Sequence, residues 1–288
     1  MPDARFIDAA PAIAAERTPW HARLALQFER RDTRTVLARR RHEGPLVVQK
    51  PLYPEGDDVC QCIIIHPPGG IAGGDHLELD IEVGDGAFAQ LTTPGAAKWY
   101  RAGGRGASVQ TSIRAAAGSM VEWMPQGTIV YRGAEAAATL AVDLQGAATF
   151  IGWDVVCLGR TASAEIFDAG EWRQRVDIRR DDALIWSERA VLTASSSPMI
   201  SLSGLNAAPV FGTLTGVANA IDDSLLAACR TVLPLSGEGV VTRFPGALVA
   251  RYRGASSASA QAWFVALWLL LRPALHGRAA IPPRIWNT

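Results

Sequence analysis

Cysteine, histidine and net charge are all scarce in this chain of 288 residues, and each scarcity excludes something. The four cysteines, Cys60, Cys62, Cys157 and Cys229, are too few and too irregularly spaced for a disulfide framework, so reduced thiols are expected. The five histidines, His21, His42, His66, His76 and His276, build no H-E-x-x-H motif, and G-x-S-x-G and C-x-x-C are missing too. An enzyme is therefore disfavoured. Lysine plus arginine number 28 and aspartate plus glutamate 28, which leaves no global field to draw the chain to nucleic acid or anionic lipid. The same neutrality weakens colloidal repulsion and predicts poor solubility without a partner. The longest apolar run, 262–271, falls short of the roughly 20 residues that span a bilayer. The start, MPDARFIDAAPAIAAERTPWHARL, has early acids and no basic leader before an apolar core, so it does not read as a secretory signal. A cytoplasmic protein with neither a membrane nor a nucleic-acid partner is expected.

What is present reads as β. Hydrophobic residues make up 49% and charged residues 19%, a composition that folds. Leu77, Leu79, Ile81 and Val83 alternate with Glu78, Asp80 and Glu82, which places one face on a core and three carboxylates on the other, before the turn at Gly84-Asp85-Gly86. Further strand-like runs cover 88–93 and 108–114, and Leu140, Val142 and Leu144 repeat the period of two. Segments 172–179 and 183–191 flank Asp181-Asp182 like hairpin arms. No fixed-period repeat, linker or low-complexity tract is visible, which predicts a single domain over 1–288.

Two helices depart from this pattern near the C-terminus. Asp222, Asp223 and Ser224 offer N-caps for a helix over about 222–233, ended by Pro234. Ser256, Ser257 or Ser259 caps a second over 257–271, ended by Pro273. The second is apolar nearly all round and must be buried, either inside this protein or in an interface.

The stretch 66–75, HPPGGIAGGD, asks for unusual backbone control. A P-loop needs Lys-Ser after its last glycine, and Asp75-His76 stands there instead. A metal site could draw on His66, Asp75 and His76, with Cys60 and Cys62 on the same strand face as His66. Two cysteines in a strand are more often small core residues, however. A corner is the simplest reading: Pro67 and Pro68 fix φ, while four glycines permit close backbone approach. The arginine cluster Arg30, Arg31, Arg34, Arg39, Arg40 and Arg41 is interrupted by Glu29, Asp32 and Glu43 and reads as a solvated or protein-facing surface.

Four motifs taken in order resemble the urease accessory protein UreD family, called UreH in some organisms. They are HPPGGIAGGD at 66–75, LTTPGAAKWYR at 91–101, VEWMPQGTI at 121–129 and LGRTAS at 158–163, with GPLVVQKPLYPEG at 44–56 upstream. The resemblance implies a mainly β fold, a β-helix-like stack of short strands, with two α-helices near the C-terminus that contact the partner UreF. It implies a scaffold, dimeric within the accessory complex, that bridges the urease apoprotein to UreF and, through UreF, to the GTPase UreG. No cofactor would be tightly bound, and nickel would pass in transit toward the urease active site. Three acids match acidic family positions: Asp75, Asp154 in GWDVVCLGR, and Glu188 in IWSERA. The resemblance makes them a transit path rather than a tight site, because widely spaced carboxylates pass a divalent ion on without trapping it. His66 and His76 are further candidate ligands. Against that reading, each acid could instead be salt-bridged, for example to Arg160 or Arg189. The chain departs from the family pattern at Ala97, His76 and Gly127. The alternative from another class is a β-rich metal-dependent enzyme with acids around Asp75; a metal-storage module is a third.

Overall fold

A computed structural model describes residues 18–287. Its strands wind as a solenoid between two facing sheets. The strands β4 (Val59–Ile65), β6 (Phe88–Thr92), β9 (Met120–Met124) and β12 (Thr149–Arg160) run parallel in an eleven-stranded sheet. Alternating with them in the chain, β5 (His76–Val83), β8 (Ala107–Ala115), β11 (Glu135–Leu144) and β14 (Glu171–Arg180) run parallel in a seven-stranded sheet. A narrow third face joins them: Ile71 bridges to Trp99 of β7 (Ala97–Trp99), β7 pairs with β10 (Thr128–Val130), and β10 pairs with the far end of β12.

Further strands, antiparallel except for the first, complete both sheets. In the smaller, β1 (His21–Arg31) lies beside and parallel to β5 and carries β2 (Arg34–Glu43) at one edge, while β15 (Ala183–Thr193) forms the other edge. In the larger, β3 (Val47–Val48) flanks β4, β13 (Glu165–Ile166) pairs with β12, and β16 (Val210–Val217), β18 (Ala247–Gly254) and β17 (Glu238–Phe244) extend the sheet beyond β12. The helices are α1 (Ser197–Ile200), α2 (Asp223–Thr231) and α3 (Ser257–His276). The mainly β, β-helix-like architecture with C-terminal helices is thus as the sequence and the resemblance led us to expect. The coils stack without a fixed spacing in the chain. Stacked residues lie 29 apart at Gln61 and Gln90, 32 apart at His76 and Ser108, and 36 apart at Arg132 and Asp168. The coils differ in length at their corners, so no fixed period marks the sequence.

The two sheets read differently because they are covered differently. The seven-stranded sheet has a solvated outer face, which is why β5 alternates buried and exposed along its length. The larger sheet is covered outside by α3 and inside by the solenoid, so β6, FAQLT, is buried throughout and β4, VCQCIII, is buried except at its end. The hairpin β14–β15 turns on Asp181 and Asp182 at φ 48° and 66°, the left-handed pair that matches the strand twist. All four cysteines are free and buried. The hydrogen bond between Cys60 and Cys62, with burial, pushes the Cys62 thiol up, and the same hydrogen bond pulls the Cys60 thiol down. In the arginine cluster, Arg30 pairs with Asp58, Arg31 with Glu29 and Arg34 with Asp57.

The helix α2 begins where its cap predicts: the Asp222 carboxylate accepts from the Leu225 N–H at 2.7 Å. It ends at Thr231, two residues short of the expected 233. Conversely α3 runs through Pro273 to His276, beyond the expected stop. Proline there forfeits only the hydrogen bond to the Leu269 carbonyl, and both residues lie on the exposed side of the helix, where that loss costs least. By length and composition α3 could cross a membrane, yet half of it is buried in the fold. Trp263, Phe264, Leu267, Trp268 and Leu271 pack onto the larger sheet, so the apolar helix is core.

A buried polar network fixes α3 in place. Inside the sheet–helix layer, Gln90 donates to Glu122 Oε2 at 2.7 Å, and Trp268 Nε1 donates to Glu122 Oε1 at 2.8 Å. Arg272 Nε lies 2.9 Å from the same oxygen as an ion pair, without hydrogen-bond alignment, and His276 Nδ1 lies 3.4 Å from it. The Arg272 fork also donates to both oxygens of Glu55, at 2.7 and 3.0 Å. Beyond the helix the chain folds back: Trp286 Nε1 donates to Thr92 Oγ1 at 2.8 Å.

Candidate functional site

Parity along the strands decides which polar residues face the inside of the solenoid. On β12, Phe150, Val156 and Leu158 belong to the interior cluster, and Asp154 shares their parity. On β14, Trp172 and Ile178 are interior, and Gln174 lies between them. On β15, Leu192 points in and Glu188 follows the same alternation. These three side chains line a cavity of about 410 Å³ between the sheets, whose remaining walls are mostly apolar.

Among the described residues, Asp154 is held in this cavity without a cation beside it, and Glu188 has a cation on one oxygen only. Asp154 Oδ1 accepts from the Thr213 N–H at 3.1 Å, and Oδ2 accepts from Gln174 Nε2. The Gln174 amide is itself oriented, because its Oε1 accepts from Trp172 Nε1 at 3.1 Å. Burial, reinforced by the neighbouring Glu188 charge, pushes the Asp154 carboxyl up to about 7, and its hydrogen bonds only partly offset this. Glu188 Oε1 accepts from Thr213 Oγ1 at 3.3 Å and meets Arg251 Nη2 at 3.3 Å. Its other oxygen, Oε2, is buried with no hydrogen-bond partner among the described residues. Two half-buried acids, with one buried oxygen uncompensated, make a cavity that favours a proton or a cation.

The other sequence candidates lie elsewhere. Asp75 is fully buried beside the corner rather than in the cavity wall: Oδ1 accepts from the Trp20 N–H at 2.7 Å and Oδ2 from the Ala72 N–H at 2.8 Å. The corner itself does form part of the wall, through His66, Gly69, Gly70 and Ile71. Its glycines answer to the next coil: a Cβ on Gly70 would meet the Tyr100 ring at 2.1 Å, and one on Gly73 the Ala102 carbonyl at 2.0 Å. His76 stands on the solvated face of the smaller sheet, with Nδ1 2.8 Å from Ser108 Oγ. Ala97 and Gly127, where the chain departs from the family pattern, both line the cavity. Arg160 and Arg189 pair with Glu165 and Asp177, not with the cavity acids. Among the described residues no three His, Cys, Asp or Glu side chains gather as a metal-binding cluster.

A family model described as "UreD urease accessory protein" matches residues 21–287. The chain belongs to the UreD family of urease accessory proteins. It is similar to urease accessory protein UreD of Azoarcus sp. strain BH72, 49% identical over 277 residues, 96% of this chain and 97% of that one. Its similarity to UreD of Pseudomonas fluorescens strain Pf0-1 is 50% over 279 residues, 96% and 99% of the two chains. UreD of Dechloromonas aromatica strain RCB is 48% identical over 283 residues, 96% and 98%.

In this UreD-family chain the motif residues and the cavity coincide only in part. LTTPGAAKWYR and HPPGGIAGGD are successive coils of one wall, which explains their shared glycine and proline content. Gln174, Thr213 and Arg251 were not singled out by sequence. Gln174 could have been: in WRQRV it is the polar residue on the apolar parity of β14. Thr213 and Arg251 reach Glu188 only through the pairing of β16 with β18, which no local signal announces.

Proposed function

We propose that this UreD-family chain is a non-catalytic urease maturation scaffold in the cytoplasm that conducts nickel through its solenoid toward the urease apoprotein. The observation that carries this reading is the cavity between the sheets that Asp154 and Glu188 both line with too little compensation. A hard or borderline divalent cation is stabilised by two such carboxylates, while the threonine and glutamine neighbours are too weak as ligands to trap it. Asp75, by this account, maintains the corner from behind, and His66 is the titratable group where that corner meets the cavity.

The same reading gives the chain UreF as a direct partner, UreG through UreF, and a dimeric arrangement within the complex. The buried face of α3 is unavailable to UreF, but its outer side exposes Leu269, and Leu233 and Leu235 beside α2 are 75% and 89% exposed. Charged substitutions at Leu235 and Leu269 should abolish UreF co-purification and leave folding intact; retained co-purification would move the UreF surface elsewhere. The conduit is tested by urease activation with co-expressed UreF and UreG. Asp154→Asn and Glu188→Gln should lower the nickel content of purified urease while the accessory complex still assembles. Unchanged nickel in both variants would rule the cavity out as the path.

A further inference from the structure

Arg251 reaches from solvent to Glu188, a residue of the cavity wall. Its side chain is 52% exposed, while Glu188, which it meets at 3.3 Å, is 19% exposed and lines the cavity. The guanidinium lies 5.4 Å over the Trp186 ring, and Trp186 leans on Phe244 at 5.2 Å, which steers the cation toward Glu188. Arg251 is also the cross-strand neighbour of Thr213, whose N–H holds Asp154 and whose hydroxyl holds Glu188. Arg251 and Thr213 both engage Oε1, so Oε2 stays buried and unpartnered even with the ion pair closed.

An arginine used only to neutralise Glu188 would satisfy both oxygens with its planar fork. This one meets a single oxygen of Glu188 and keeps half of its side chain in water. A guanidinium in that position opposes a divalent cation approaching Glu188, and it can leave at little cost because its far side is already solvated.

We propose that Arg251 is an electrostatic gate on the cavity, closed while it pairs with Glu188 and opened when an acidic side chain of the docked urease apoprotein draws the guanidinium away. The gate rests on the conduit reading above. It makes cation access to Asp154 and Glu188 conditional on assembly, so nickel does not equilibrate with solvent in a complex that has no recipient.

The test is equilibrium dialysis of Ni²⁺ against the purified accessory complex, with and without urease apoprotein. Arg251→Gln should raise Ni²⁺ affinity about tenfold before urease is added, the scale of a charge interaction screened by solvent on one side. Arg251→Lys, which keeps the charge, should behave as wild type. Adding urease should bring wild type up to the affinity of Arg251→Gln, and Glu188→Gln in the Arg251→Gln background should cancel the gain. Equal affinity of wild type and Arg251→Gln, or Arg251→Lys matching Arg251→Gln, would overturn the gate; no response to urease would overturn its release by the partner. Should Asp154→Asn and Glu188→Gln lower Ni²⁺ uptake while Arg251→Gln changes nothing, the conduit stands and the gate alone falls. Should neither carboxylate variant matter, the conduit itself fails.

Discussion

Glu122 and Asp154 sit on adjacent strands of one sheet, on opposite faces, and the protein treats the two acids in opposite ways. Around Glu122 burial alone would raise the carboxyl, but His276, Arg272 and Trp268 outweigh it and hold the group below the usual range. Around Asp154 the nearest charge is another acid, Glu188, and the carboxyl rises to about 7. The first acid is spent on architecture: it ties α3 to the sheet. The second is left with unspent charge inside a cavity. A buried carboxylate with all its partners is a strut, and one without them is available for chemistry.

That contrast can be broken most forcefully at Glu122. Removing one member of a buried pair leaves the other charge stranded, and Glu122→Ala should therefore destabilise the fold by about 3–5 kcal/mol. Urea unfolding followed by circular dichroism measures this, and an unchanged midpoint would mean that the network does not secure α3. Asp154→Asn should do the reverse. At neutral pH its unfolding midpoint should be no lower than that of wild type, since it removes a repulsion, while nickel transfer to urease falls severalfold. A variant that unfolds instead would make Asp154 a second strut.

A pH series sharpens the comparison further. Glu122 titrates below its unfolded value, so its contribution is present above about pH 4.5 and is lost as pH falls through the folded value. Asp154 titrates above its unfolded value of 3.8, so between that pH and about 7 the folded state binds more protons and stability declines as pH rises. Melting temperatures of wild type and Asp154→Asn should accordingly diverge across that window in favour of the variant, and run parallel above it. Nickel uptake should climb through pH 7 in the wild type as the carboxyl ionises. The smallest effect belongs to the solvated face, where Arg114 and Glu82 pair at 2.8 Å with about half of each side chain exposed. Arg114→Ala should change stability by no more than about 1 kcal/mol and leave nickel transfer untouched.

Much of the fold was legible from local pattern. The alternation at 77–83, the hairpin on Asp181-Asp182 and the Asp222 cap all report contacts close in sequence, where a residue's neighbours are its partners. The coil repeat was not, because its spacing shifts from 29 to 36 residues as the corners change length. Pro273 misled because a helix stop is only binding where the freed carbonyl is buried. At the site, the family pattern pointed to Asp154 and Glu188, and the cavity brings both of them together. It also pointed to Asp75, whose carboxylate holds Trp20 and Ala72 by their backbones. An acid at a glycine-rich corner looks the same in sequence whether it faces a void or a turn; only the coil stacked on it decides.

The network that anchors α3 also sets a timetable. Glu55 and Arg272 are 217 residues apart, and Thr92 and Trp286 are 194 apart, so the cover of the larger sheet is among the last parts to be made. At 5–20 residues per second, roughly 10–45 s separate the synthesis of Glu55 from that of Arg272. In the later part of that interval, once β12 has been made, the nascent sheet can stack its parallel strands and shows water the apolar face and the Gln61–Gln90–Glu122 row that α3 will later seal. A truncated chain lacking α3 and everything after it would therefore present a sticky, half-charged surface in place of a shortened native one, and a ribosome stalled there would hold out the same surface to whatever holdase or partner stood nearby.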